Sequence, residues 1–387
     1  MEKHILRKQI RNYIRRLRAQ ARQENLPKLV SLQSSKVVFT EERKGYLDGQ
    51  YVNRFILFMR GTGCSWVTQS GGCSFCGFWD ATNFGQKVTD ADNMAQVVNV
   101  INDDSIDFEQ YPIICLYNDG SMLVEDEISF KTLLDICSLL AERPHVKRIV
   151  LEAKVIDISE EKMARLVAVM NSKELEIAVG FESAEEIVRD LCINKTFADS
   201  IFRTKAEILK RHGVSLVPLV MVKPPFLTEV QAIHDVVNTL RYLEEFGLKR
   251  IDLELATVED HTIVHDLWHH GLYTTPRLWS VIEILRRRDE LNLKTPVYLS
   301  PPNYTATAKV YSANCPNCSS TVADAIEVYN RRFSDTSVFD SLDCACKLEW
   351  AEAIKDDSTD VPLQNQIEAV FKELLVRQQI HEEELMV

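Results

Sequence analysis

The sequence predicts an α/β protein built as a partial or complete βα barrel of the TIM type. Seven short apolar runs alternate with helical segments, and near-continuous apolar strands between helices are typical of a parallel sheet covered by helices. The predicted strands are residues 54–60, 112–117, 148–153, 175–181, 215–222, 250–255 and 295–300. The predicted helices between them are 90–102, 126–142, 159–171, 199–212, 229–246 and 276–291. In such barrels the chemistry lies at the carboxyl ends of the strands.

Length and composition indicate a globular protein with one large catalytic domain and an appendage, or two domains. The chain has 387 residues, of which 45% are hydrophobic, and no apolar run reaches 18 residues, so we expect no membrane span. The first residues lack the apolar core of a secretory signal, which predicts a cytoplasmic protein whose ten cysteines are reduced. Clustered cysteines in such a protein point to metal.

Three segments follow from these patterns. Residues 1–45 form a basic helix and linker, 46–300 the barrel core, and 301–387 a cysteine-rich segment with a terminal helix. Residues 4–23 predict the basic helix, which Pro27 should end. The net charge of −12 argues against a chain-wide nucleic-acid surface, so this helix either contacts phosphates locally or packs on the acidic body.

Cys64, Cys73 and Cys76 form the first cysteine cluster, directly after the first predicted strand. Three thiolates can hold three irons of a four-iron cluster and leave the fourth iron open to a ligand that is not protein. The alternatives are a zinc knuckle, which lacks a nearby fourth ligand, and a redox dithiol, which would not need Cys64.

The residues around this cluster resemble the radical S-adenosylmethionine (SAM) superfamily, and within it the radical SAM subunit of archaeosine synthase and its relatives. More distantly, the spacing resembles the elongator-complex radical SAM acetyltransferase. The resemblance covers about residues 50–350. Its stretches are residues 62–78, 118–129, 151–163, 177–197, 222–229 and 267–285.

The resemblance implies that SAM binds the open iron of a 4Fe-4S cluster and is cleaved to a 5′-deoxyadenosyl radical. The radical would abstract hydrogen from a lysine attached to 7-deazaguanine in tRNA, leading to C–N cleavage and archaeosine. It further implies a flavodoxin- or ferredoxin-type electron donor, a partner enzyme subunit, and a grip on tRNA through residues 1–22.

The resemblance also assigns cofactor-binding residues. Asn118, Gly120 and Ser121 match the turn whose backbone meets the amino group of SAM. Glu152 would bind the ribose or methionyl part, and Gly180 would allow close approach of the cofactor. The alternative for residues 118–121 is a plain strand-ending turn, and the alternative for Glu152 is a solvated strand-end acid.

Further residues are expected near the reacting groups. Glu182 should point into the pocket, and Lys195 and Lys223 should hold a carboxylate or another anion. The residues expected at the substrate mouth are Tyr273, Arg277 and Trp279.

The second cysteine cluster consists of two pairs that are separated by 25 residues. Its members are Cys315, Cys318, Cys344 and Cys346. Four thiolates in two pairs predict a closed structural zinc site, with an auxiliary iron–sulfur cluster as the alternative.

Two other functions stay open at this point. A radical SAM enzyme of the same type can act on a small amino-acid-like or nucleoside metabolite instead of tRNA, which the acidic body favours. A zinc-stabilised RNA-binding adaptor is the non-enzymatic alternative, and it predicts a colourless protein.

Overall fold

A single eight-stranded sheet organises the computed structural model, which describes residues 1–29, 32–303, 307–356 and 361–385. Strands β1 to β8 are Phe39–Leu47, Gln50–Phe58, Ile113–Tyr117, Arg148–Ala153, Glu174–Glu182, Ser215–Val222, Ile251–Leu255 and Val297–Leu299. Helices α1 to α12 are Lys3–Leu29, Ser65–Ser70, Asp90–Ile101, Phe130–Ala141, Glu160–Val169, Asp199–Arg211, Glu229–Glu244, Ile263–His269, Leu278–Glu290, Ser319–Arg331, Ala345–Asp356 and Leu363–Leu385.

The strands follow one another across the sheet in chain order. β1 and β2 form an antiparallel hairpin, and each later strand through β8 pairs in parallel with the one before it. Helices connect these parallel strands, and the sheet curls into a partial barrel. The predicted α/β fold class is therefore confirmed, and all seven predicted strands are present.

Helix α4 illustrates how local sequence covers the sheet. Ser129 caps its first turn by accepting a hydrogen bond from the backbone N–H of Thr132. Leu133, Cys137 and Leu140 recur on one face and are fully buried. Because this stripe removes apolar area from water, it fixes the helix against the parallel strands.

β1 is the strand that the sequence did not predict. Its residues are mostly half-buried or exposed, and its sequence FTEERKGYL carries four charges. β1 forms one edge of the sheet and β8 the other, and within the described ranges these two strands share no ladder. The rings of Tyr46 and Tyr298 meet edge to face across this seam, with centroids 5.8 Å apart.

The terminal helices pack together on the barrel. Leu6, Ile10 and Ile14 of α1 are buried, and the ring of Tyr13 meets that of Phe371 in α12 at 5.6 Å. The expectation that Pro27 ends α1 is wrong, because the helix continues to Leu29. Pro27 lies in the last turn, where the loss of one backbone donor disturbs few helical hydrogen bonds. None of the described helices combines the length and apolar character needed to cross a membrane.

Candidate active site and a second thiol cluster

A cavity of about 230 Å³ lies where the parallel strands end. Cys64, Cys73 and Cys76 all line it, so the fold brings the first cysteine cluster to one wall. The predicted residues that share this cavity are Gly120, Glu152, Gly180, Glu182 and Lys195. The position is the one that a βα barrel uses for its chemistry.

The cysteine loop is shaped by a short helix and a glycine turn. Cys64 precedes α2, whose chain then turns at Gly71 and Gly72 with φ of 93° and 91°. A side chain at Gly72 would meet Val67 at 2.8 Å, so both conformation and space require glycine there. The turn brings Cys73 back toward Cys64.

Asn194 holds this loop from the connection that follows β5. Its side-chain amide donates to the carbonyl oxygens of Ser70 and Gly72 at 3.1 and 2.7 Å. Its own carbonyl accepts from the indole N–H of Trp66 at 2.8 Å. Arg11 of α1 donates to the Asn194 side chain at 2.7 Å. Asn194 therefore positions the loop and is not among the residues that line the cavity.

Arg18 of α1 is the residue of the basic helix that contacts the loop most directly. Its guanidinium is buried and donates to the carbonyl oxygens of Gly71, Cys73 and Cys76 at 3.3, 2.9 and 2.6 Å. No feature of the sequence distinguishes Arg18 from the other arginines of the helix. Part of the basic helix thus supports the cysteine loop.

The three cysteines are free thiols, and each is half-buried. Burial raises the pKa of Cys64 to about 12 and also raises the pKa of Cys73 and Cys76. Without a metal they are therefore protonated, and any metal must displace those protons. Among the described residues, these three sulfurs do not all lie within 4.8 Å of one another. Such spacing fits thiolates that each bind a separate iron better than thiolates that share one ion.

Glu152 supports the turn that follows β3. Its carboxylate accepts hydrogen bonds from the backbone N–H groups of Asn118 and Gly120, at 2.6 and 3.4 Å. Burial raises the pKa of Glu152 to about 7 despite these donors. Both side-chain amide atoms of Asn118 are buried and have no partner among the described residues.

Glu127 and Lys154 belong to the site although sequence reasoning did not single them out. Glu127 accepts from the backbone N–H of Ser65 at 2.8 Å and of Ser121 at 2.7 Å, so it ties the cysteine loop to the turn after β3. Lys154 lies 3.4 Å from Glu127 and lines the cavity. Lys154 follows directly after a predicted strand, which was the available signal.

The buried Glu182 and the half-buried Lys195 form an ion pair on the cavity wall. The Lys195 ammonium lies 2.7 Å from the Glu182 carboxylate. This carboxylate and the neighbouring Cys73 thiol raise the pKa of Lys195 against the effect of its burial. A side chain at Gly180 would lie 2.0 Å from the Lys195 nitrogen, so glycine there makes room for the pair.

Four other predicted site residues lie away from this cavity. Lys223 is buried and pairs with Glu229 at 2.7 Å, while Tyr273 donates to its carbonyl oxygen at 2.7 Å. Arg277 is exposed at the start of α9, and Trp279 is buried beside the second cysteine cluster. None of these four belongs to the described lining of the cavity.

The second cysteine cluster is brought together as the sequence predicted. The sulfurs of Cys315, Cys318, Cys344 and Cys346 all lie within 4.8 Å of one another. The three remaining cysteines are fully buried core residues. They are Cys115, Cys137 and Cys192.

The first site fits a four-iron cluster by its donor set. Three thiols face one cavity, and a glycine-containing turn braced by Glu152 faces the same space. Bound there, a cluster and SAM would supply a one-electron cleavage of the sulfonium. Cys64, Cys73 and Cys76 would hold the iron, and the turn at 118–121 and Glu152 would hold SAM.

Comparisons with known proteins agree with the predicted resemblance. The chain is 28% identical over 312 residues to archaeosine synthase subunit beta of Methanosarcina acetivorans, covering 80% of this chain and 87% of that protein. The chain resembles the beta subunits of archaeosine synthase. The protein of that name from Thermococcus kodakarensis is 28% identical over 254 residues, covering 63% of this chain and 75% of that one.

No family model matches the chain. Among solved structures, Elp3 of Methanocaldococcus infernus aligns with a TM-score of 0.42 at 15% identity. That alignment covers 57% of this chain and 55% of Elp3.

Proposed function

We propose that this protein is a radical SAM enzyme. The observation that supports this most is the convergence of Cys64, Cys73 and Cys76 on one cavity at the carboxyl ends of the strands. Three thiolates leave one iron of a 4Fe-4S cluster open, where the amino and carboxylate groups of SAM would bind. SAM cleavage would then supply a 5′-deoxyadenosyl radical that abstracts hydrogen from the substrate.

The chain's own residues would orient SAM and exclude water. Glu152 holds the backbone of Asn118 and Gly120 in the turn, which leaves that turn preorganised for an amino group. The Lys195–Glu182 pair lies beside Cys73 and would meet the carboxylate of SAM or substrate as a fixed point charge.

Anaerobic purification tests the proposal. We expect brown protein with iron and sulfide, and 5′-deoxyadenosine after addition of SAM and dithionite. Cys76→Ala should lose both iron and product, whereas the core variant Cys137→Ala, which removes one thiol elsewhere, should keep both. Colourless wild-type protein that contains zinc alone would refute the enzyme and favour the RNA-binding adaptor.

For the substrate, we propose the reaction implied by the resemblance to archaeosine synthase subunit beta. A lysine attached to 7-deazaguanine in tRNA would lose its Cα–N bond, leaving the amidine of archaeosine. A flavodoxin- or ferredoxin-type protein would supply the electron. The relatives are named as one subunit of an enzyme, which supports a partner subunit here as well.

A small-molecule substrate is the second candidate, and contacts of the basic helix favour it. Arg7, Arg11 and Arg18 bind Asp190, Asn194 and the cysteine loop, so fewer cations are left for phosphates. Lys8 and Arg22 stay exposed. Binding of bulk tRNA across a salt series separates the candidates.

If α1 binds tRNA, the double variant Lys8→Glu, Arg22→Glu should bind tRNA more weakly. The slope of log binding constant against log salt concentration should become shallower by about two. Wild-type protein that binds tRNA no better than this variant would favour the small metabolite.

A further inference from the structure

The four C-terminal cysteines have the spacing of ligands to a single ion. The sulfur of Cys315 lies 3.7 Å from that of Cys318 and 3.5 Å from that of Cys344, and the sulfurs of Cys318 and Cys346 are 3.6 Å apart. A tetrahedral zinc ion with Zn–S bonds of about 2.3 Å requires sulfurs about 3.8 Å apart. Thiolates on the separate irons of a cubane lie farther apart, so the spacing favours one ion over an auxiliary cluster.

The protein around these sulfurs completes the site. Trp279 of α9 donates its indole N–H to the sulfur of Cys346 at 3.3 Å, an outer contact that suits a thiolate. Cys318 and Cys346 are buried. Four protein thiolates fill a tetrahedron and leave no open position, which is typical of a structural ion.

The cluster also lies at the N-terminal end of α10, the helix that borders the open seam of the barrel. Cys318 is the residue before the first turn of α10, and Cys344 and Cys346 flank the start of α11. The ion would therefore join the beginnings of two helices to α9.

At its C-terminal end α10 makes hydrogen bonds to the backbone of β8, in the place where a further strand would otherwise pair with β8. The Asn330 side chain accepts from the backbone N–H of Leu299 at 3.0 Å and donates to its carbonyl oxygen at 2.8 Å. Just beyond the helix, Ser334 accepts from the N–H of Val297 at 3.1 Å and donates to its carbonyl at 3.2 Å. Tyr46 of β1 donates to the carbonyl of Asn330 from the opposite edge.

We propose that Cys315, Cys318, Cys344 and Cys346 bind one zinc ion, and that this ion anchors α10 so that the helix closes the seam between β8 and β1. Binding releases the protons of the four thiols to solvent and leaves a site of net charge −2. The indole N–H of Trp279 offsets part of this charge. The proposal does not depend on the radical chemistry.

Metal analysis of the full chain tests the ion. We expect one zinc per chain, and protein grown with cobalt should show the absorption of a tetrahedral tetrathiolate site. Cys318→Ser should lose zinc and keep the iron of the first site, whereas Cys76→Ala should do the reverse. Zinc-free protein, or iron that survives Cys76→Ala and is lost in Cys318→Ser, would overturn the assignment.

Amide hydrogen exchange tests the anchoring role, and it needs no variant to fold. Removal of zinc from wild-type protein should accelerate exchange at Val297 and Leu299 at least tenfold, while Val150 in the middle of the sheet stays protected. Asn330→Leu should keep zinc and still accelerate exchange at Leu299. Unchanged exchange at both β8 amides after complete zinc removal would overturn the proposal.

Discussion

Arg18 donates a hydrogen bond of 2.6 Å to the backbone carbonyl of Cys76, across 58 residues of sequence. A buried guanidinium with several carbonyl acceptors holds a loop more firmly than a solvated one, because its partners have no water to replace it. The N-terminal helix is thus part of the support of the first cysteine site.

Arg18→Met should destabilise the protein by about 3 kcal/mol, since several buried carbonyls lose a charged donor. The same variant should retain less iron after anaerobic reconstitution. Urea unfolding and iron analysis measure the two effects, with the exposed Arg22→Met as the control. Wild-type iron retention and stability in Arg18→Met would contradict the role.

Lys195→Met should cost about 3 kcal/mol because it leaves the buried Glu182 carboxylate without its partner. The double variant Lys195→Met, Glu182→Gln should recover at least about 1 kcal/mol of this loss. The coupling free energy between the two side chains follows from the free energies of unfolding of the wild type, both single variants and the double variant. Strictly additive effects would mean that the pair does not act as a unit.

Glu127→Gln should disturb both the cysteine loop and the turn after β3. The amide has one acceptor oxygen where the carboxylate has two, so either Ser65 or Ser121 loses its acceptor, at a cost of about 2 kcal/mol. We expect weaker SAM binding by equilibrium dialysis with iron content measured alongside. Glu125→Gln, at an exposed position, is the control, and equal SAM affinity in both variants would disprove the link.

The contacts of His261 predict a pH-dependent interaction between α1 and the loop after the first site. Hydrogen bonding to Asp80 at 2.6 Å, with Glu24 at 2.9 Å, raises the pKa of His261 to about 9. The pKa of His261 is therefore higher in the folded protein than its unfolded value of about 6.5. The protonated ring stabilises the folded state fully below about pH 6.5, and this stabilisation is lost as the pH rises through about 9.

His261→Asn should therefore cost about 1 kcal/mol at pH 6 and little at pH 10. Urea unfolding at both values checks this, with the exposed His4→Asn as the reference. A loss in His261→Asn that is the same at both pH values would show that packing, not charge, explains it.

The local pattern of the sequence was sufficient for most of the fold. Near-continuous apolar strands between amphipathic helices have few stable solutions, so a parallel sheet with its chemistry at the carboxyl ends followed directly. β1 was not predicted because an edge strand with charged side chains lacks the apolar run that is typical of a buried strand.

The sequence by itself determined which cysteines are candidate metal ligands, because thiol spacing along the chain is a local property. Only the tertiary structure decided which distant groups support them. Arg18, Glu127 and Lys154 reach the first site from separate segments, while Lys223 and Trp279 turn toward other partners. The physical reason is that hydrogen bonds and ion pairs depend on where side chains meet in space, which the order of residues along one strand or helix does not encode.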